Sequence, residues 1–177
     1  MIFLDMDGVI ADFFGAMAKR EKVKHWKSIK DKEVAFQKIM HSNFFYEIPR
    51  FEDYYENISD KIVMLIKDYS YIKNIEWGIC SSPMRGDEYN SAYWKRLWLE
   101  NYGYMPSVEN CIFTHEKEKY AFSKVDGKPN ILIDDKPENI FKFRKAGGIG
   151  IRFQTNEDDI EYLCDEMENA LKLRNAV

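Results

Sequence analysis

Two short apolar runs that end in carboxylates constrain this chain more than any other feature. The first is Ile2-Phe3-Leu4-Asp5-Met6-Asp7-Gly8-Val9, and the second is Ile131-Leu132-Ile133-Asp134-Asp135. Each reads as a buried strand that stops at a polar turn. Alternate side chains of a strand share a face, so Asp5 and Asp7 start on one side. Two carboxylates about 4 Å apart, at an effective dielectric of about 20, repel by about 4 kcal/mol. A chain that keeps such a pair neutralises it with a proton or a cation. Mg²⁺, a hard ion bound through oxygen, is the candidate. A lone D-x-D-G stretch would also suit an ordinary polar turn; the second acidic pair, built the same way, favours a shared site.

The rest of the chain fits around these runs. With 177 residues, of which 45% are hydrophobic and 15% aromatic, it can bury a core as one domain with an insertion. A net charge of −4 argues against a groove for long nucleic acid. Cys80, Cys111 and Cys164 are odd in number and lack zinc or disulfide spacing, which fits small core residues in a reducing, cytoplasmic compartment. No secretory leader is expected at the N-terminus, and no apolar run is long enough to span a membrane.

From Phe13 to about Tyr71 the sequence is charged, aromatic and helix-like, without a convincing strand before Ile75. Ile58, Ile62, Leu65, Ile66 and Tyr69 form one helical stripe, predicted to cover the sheet. Ile75–Cys80, Asn110–Phe113, Asn130–Ile133 and Ile149–Phe153 read as four further strands. Between them, a helix is predicted from about Asp87 to Tyr102, with Tyr93, Trp94, Leu97 and Trp98 as its apolar side. Pro137 opens another, and Asn156–Arg174 closes the chain with Ile160, Leu163, Met167, Ala170 and Leu171 inward. Alternation of strands and helices gives an α/β class with a mainly parallel sheet. Ligands of such sheets bind beyond the carboxyl ends of the strands. Asp5 and Asp7, Ser81 and Ser82, Lys117, and Asp134 and Asp135 all follow strand ends. Acids that hold Mg²⁺, a lysine and serine hydroxyls suit a phosphoryl group. One carboxylate can attack phosphorus, and another can move the leaving-group proton.

The run Asp5-Met6-Asp7-Gly8-Val9-Ile10-Ala11-Asp12-Phe13 resembles the first motif of the haloacid dehalogenase superfamily, and within it the 5′(3′)-deoxyribonucleotidases. Cys80-Ser81-Ser82-Pro83 is similar to the second motif, although that family usually has threonine where Ser81 stands. Thr114-His115-Glu116-Lys117 resembles the lysine motif, and Ile131 to Pro137 the metal-binding fourth. The resemblance implies a Rossmann-like core (1–14 and 71–177) with a five-stranded sheet and a helical cap (15–70) inserted after the first strand. It also implies a Mg²⁺-dependent phosphatase. Asp5 would be nucleophile and metal ligand, and Asp7 general acid/base and metal ligand through its carbonyl. Ser81, Ser82, Lys117 and Lys95 would bind phosphate, with Lys119 a competitor of Lys117. Asp134 and Asp135 would complete the metal site, in an order the resemblance leaves open. Phe13, Phe44 and Phe45 would bind the nucleoside, although a cluster such as Phe44-Phe45-Tyr46 is more often plain core.

The expected substrate is a small phosphorylated molecule, first a deoxyribonucleoside monophosphate. A 3′-phosphatase of nucleic-acid ends, a phosphatase of another metabolite, and a silent nucleotide-binding domain are the alternatives. A homodimer is compatible with this reading. Arg85 suits either a phosphate contact or the surface. His25, His41 and His115 share no ligand spacing and suit capping or surface roles.

Overall fold

A computed structural model describes residues 1–52 and 57–176. Its centre is a sheet of five strands: β1 (Ile2–Leu4), β2 (Trp77–Ser81), β3 (Cys111–Phe113), β4 (Ile131–Asp134) and β5 (Ile149–Arg152). Every pairing is parallel and the order is β3-β2-β1-β4-β5. The chain therefore builds outward from β1 to β3, then returns to the other side of β1 for β4. This reversal places the two acid-ended strands side by side, with Leu4 opposite Ile133. Such a switch point opens a crevice at the carboxyl edge.

The period of two in the strands divides the core. Ile2, Leu4, Ile79, Ile131 and Ile133 belong to one apolar cluster, while Phe3, Cys80 and Leu132 belong to another. The first is covered by α4 (Ile58–Lys73), α5 (Glu88–Asn101) and α7 (Ile160–Asn175) through Ile62, Val63, Ile66, Trp98, Leu99, Leu163 and Met167. The second is covered by α6 (Pro137–Lys145) through Ile140 and Phe143. As its stripe predicts, α4 packs on the sheet beside β2. All three cysteines are free; Cys80 and Cys111 are buried, and Cys164 is partly so.

One predicted face is only partly right: Trp98 is buried and Trp94 packs against the core, as expected. The buried side of α5 is Ser91, Lys95, Trp98 and Leu99, whereas Tyr93 is 55% exposed. Lys95 turns inward because carboxylate, hydroxyl and carbonyl oxygens await it there, so the polar centre sets the helix face.

Three shorter helices come before α4: α1 (Phe13–Arg20), α2 (Lys32–Gln37) and α3 (Phe44–Glu47). Asp12 caps α1 by accepting from the Gly15 N–H, and Asp31 caps α2 through the Val34 N–H. Among the described residues this stretch contains isolated bridges and no strand. It is tied to the core by Trp98, whose indole N–H donates to the Ile48 carbonyl at 2.7 Å, and by Asp87. The Asp87 carboxylate accepts from the His41 N–H at 2.9 Å and lies 2.8 Å from His41 Nδ1.

Candidate active site

The first acidic run turns sharply after β1. The Met6 carbonyl accepts from the N–H groups of Val9, Ile10 and Ala11, and Gly8 takes φ +80°, where a side chain would be strained. A Cβ on Gly8 would also lie 2.9 Å from Asp135 Cγ and from Phe14 Cε2. The turn thus packs directly against the end of the second acidic run.

Two buried ammonium groups hold the acids apart. Lys117 Nζ lies 2.5 Å from Asp134 Oδ2 and 3.0 Å from Asp5 Oδ2. Lys95 Nζ lies 2.6 Å from Asp7 Oδ2 and also donates to Ser81 Oγ at 3.1 Å and to the Ser82 carbonyl at 2.8 Å. Each lysine side chain is almost wholly inaccessible. Lys119, the competitor in the same motif, is exposed and paired with Glu116. Asp134 is held on all sides: beyond Lys117, it accepts from the Lys136 N–H at 2.8 Å and from Asn139 Nδ2 at 3.0 and 3.1 Å. Asp135 accepts no hydrogen bond among the described residues and lines the crevice.

Four carboxylates face two ammonium groups, so with all four ionised the cluster would carry two uncompensated negative charges. Burial, and then Asp5, Asp134 and Asp7, push the Asp135 carboxyl up to about 8. Burial also raises Asp7 and Asp134, and the Asp5 carboxylate adds to it in both cases. For Lys117 burial opposes the charge, but Asp5 and Asp134 outweigh it and hold the ammonium above the usual lysine range. One carboxylate oxygen each from Asp5, Asp134 and Asp135 lies within 4.8 Å of the others. Oxygens around one octahedral Mg²⁺ lie about 3–4 Å apart. The donor type, the spacing and the charge deficit all fit such an ion. Asp7 Oδ1 is buried and has no hydrogen-bond partner among the described residues.

The crevice above the acids has a volume of about 1090 Å³. Asp5, Asp7, Ser82 and Asp135 form part of its floor, and Phe13, Phe14, Trp26, Phe36 and Phe45 part of its wall. Phe13 is the hub of the ring cluster: Phe14, Trp26, Phe36, Phe44 and Phe45 all lie with centroids 5.8–6.2 Å from it. Both Phe36 and Phe45 stack on it, and it is itself buried. Phe44 is not part of the crevice wall; it is buried and packs edge-on to Phe13 and Phe45. The rings that remain partly open are Phe14, Trp26 and Phe36. Their exposure follows from the tertiary packing of α1 and α2, which no sequence spacing reveals. Asn139 and Thr155 also escaped the sequence reading. Arg85 and His115 line the crevice, whereas His41 does not. His25 caps the turn after it by accepting from the Lys27 N–H.

A parallel α/β sheet with this acid set at its switch point, and a helical insertion after the first strand, is a core of the haloacid dehalogenase type. The model of one family, 5′ nucleotidase, deoxy (Pyrimidine), cytosolic type C protein, matches residues 1–163, and the chain belongs to that family. A curated relative, the mitochondrial 5′(3′)-deoxyribonucleotidase of Homo sapiens, is 23% identical over 160 residues, 77% of this chain. The chain spans 62% of that relative's length. A solved HAD hydrolase, family IA, variant 3 from Entamoeba histolytica HM-1:IMSS, has a TM-score of 0.43 and 14% identity, over 94% of this chain and 98% of that one.

Proposed function

We propose that this protein is a Mg²⁺-dependent phosphomonoester hydrolase that acts through an aspartyl-phosphate on deoxyribonucleoside 5′(3′)-monophosphates. The observation that carries the reading is the meeting of Asp5, Asp134 and Asp135 oxygens at the foot of one crevice, with Lys117 between Asp5 and Asp134 and Lys95 on the neighbouring Asp7. The family membership and the name of the human relative support the nucleotide as substrate. The open rings of Phe14, Trp26 and Phe36 supply apolar faces for a base. In this reading residues 1–14 and 71–177 form the catalytic core and 15–70 the cap.

Asp5, Asp135 and Asp134, with the Asp7 carbonyl, would hold Mg²⁺, and the free carboxylate of Asp135 makes it the readier of the last pair. When bound, the ion neutralises phosphate oxygens. Lys117, Lys95, Ser81 and Ser82 orient the phosphoryl group by charge and hydrogen bonds. An Asp5 oxygen attacks phosphorus as the bond to the leaving oxygen breaks, and the Asp7 carboxyl gives that oxygen its proton. Asp7, now a carboxylate, takes a proton from water. The water oxygen displaces Asp5 from phosphorus, and phosphate leaves. The raised pKa of Asp7 suits the acid half of this cycle. A cytoplasmic location belongs to the same proposal, supported by the word "cytosolic" in the family description.

The test is phosphate release from 5′- and 3′-deoxynucleotides, ribonucleotides and a 3′-phosphorylated oligonucleotide, with Mg²⁺ or with chelator. Turnover of a mononucleotide that disappears with chelator and in Asp5→Asn is expected. Activity that survives in Asp5→Asn removes Asp5 as nucleophile. Nucleotide binding with no turnover points to a silent domain, and turnover of the oligonucleotide alone to an end-processing enzyme.

A further inference from the structure

Thr155 stands in the loop after β5, 146 residues from the turn that carries Asp7, yet it is bonded to that turn twice. Its hydroxyl donates to the Val9 carbonyl at 2.5 Å, and its backbone N–H donates to the Gly8 carbonyl at 3.0 Å. Val9 is fully buried and Thr155 nearly so, so water cannot replace these bonds. The loop is built to present this residue. Arg152, at the end of β5, lies 2.6 Å from Asp158 Oδ2, and that oxygen accepts from the Gln154 N–H at 2.7 Å. The N–H groups of Glu157 and Asp158 close the turn on the Gln154 carbonyl at 2.9 Å.

What this tether fixes is the residue just before Gly8. The Asp7 side chain has one hydrogen-bonding anchor, Lys95 on Oδ2; Oδ1 has none. Its aim toward a leaving oxygen therefore depends on the backbone it stands on. We propose that Thr155 is a positioning residue for proton transfer by Asp7, acting through the Gly8 and Val9 carbonyls. The proposal rests on the reading of Asp7 as proton donor given above.

A purely structural role for Thr155 would slow every substrate alike, because it would only remove folded protein. A positioning role is selective. A nucleoside alkoxide needs a proton to leave, whereas the phenolate of an activated aryl phosphate does not. Thr155→Val keeps the shape and removes the hydroxyl. With Mg²⁺ present, kcat/KM, which covers only the first phosphoryl transfer, should fall about tenfold or more on a deoxynucleotide, the scale of one buried hydrogen bond. On p-nitrophenyl phosphate it should fall far less. Thr155→Ser should restore the nucleotide rate. If Thr155→Val does not fold, Thr155→Ala is measured for the same split. Equal losses on both substrates, or no loss on either, overturn the role of Thr155. Asp7→Asn is the control: if it shows the split and the Thr155 variants do not, only Thr155 is excluded. If Asp7→Asn slows both substrates equally, the proton-donor reading falls, and this proposal with it.

Discussion

Lys95 Nζ lies 2.6 Å from Asp7 Oδ2, across 88 residues of sequence. The same ammonium reaches the Ser81 hydroxyl and the Ser82 carbonyl, so one point charge ties Asp7 to both residues at the end of β2. Its neighbour Phe45 lies 5.0 Å away by its ring centroid, which shuts one side off from water.

Replacement of Lys95 by Met should therefore act on both stability and chemistry. Removing one partner of a largely buried pair costs about 3 kcal/mol, measurable as a lower urea midpoint. Turnover should fall by about 10²-fold, as when a preorganised charged donor is lost. Lys95→Arg should not rescue it, since a planar fork cannot match three acceptors arranged around an ammonium.

The raised carboxyl of Asp135 links protons, metal and stability. Its pKa is pushed up to about 8 in the fold, against about 3.9 for a solvated aspartate. Between those values the folded chain holds a proton that the unfolded chain has released. With chelator, the Asp135 contribution to stability is therefore present at pH 4 and lost as pH rises toward 8. Mg²⁺ needs the ionised form, so it should raise the melting temperature more at pH 8 than at pH 5. In Asp135→Asn both the pH-dependent loss and most of the Mg²⁺ gain should vanish. Thermal melts of the two proteins, with and without the ion, check this. Equal Mg²⁺ gains at both pH values would refute it.

Gly8→Ala is expected to weaken Mg²⁺ binding without replacing any of the proposed ligands. The new methyl would meet Asp135 Cγ and Phe14 at 2.9 Å, in a backbone conformation that costs a non-glycine residue about 1–2 kcal/mol. Mg²⁺ titration by calorimetry should give at least a tenfold weaker affinity, with the far-ultraviolet dichroism unchanged.

Trp26 and Phe44 should separate binding from folding. Trp26→Ala removes a partly open crevice ring and should raise KM for a nucleotide several-fold, with little effect on p-nitrophenyl phosphate. Phe44→Ala empties a buried position and should cost about 3–5 kcal/mol of stability. A raised KM with unchanged stability in Phe44→Ala would return that ring to the substrate site.

The strands and the acids at their ends were legible because a buried strand and a polar turn leave a local signature. Ile2 to Gly8 and Ile131 to Asp135 carry it in consecutive residues, and Pro137 carries the start of α6 likewise. Apolar stripes of α4 and α7 were legible for the same reason, since helix period alone places Ile62, Ile66, Leu163 and Met167 on one side. The face of α5 was legible at Trp98 but not at Lys95, which is buried by oxygens drawn from Asp7, Ser81 and Ser82 rather than by its own helix.

The amino-acid order by itself determined the α/β class, the two acidic runs and their kinship to the haloacid dehalogenase motifs. Only the tertiary structure decided that β1 and β4 are neighbours, that Asp134 is locked while Asp135 accepts no hydrogen bond among the described residues, and that Phe36 and Phe45 stack on Phe13. It alone decided, too, that Thr155 reaches the Asp7 turn. Local order fixes what each segment prefers. Charge compensation and hydrogen-bond completion between remote segments exist only after the chain has closed on itself.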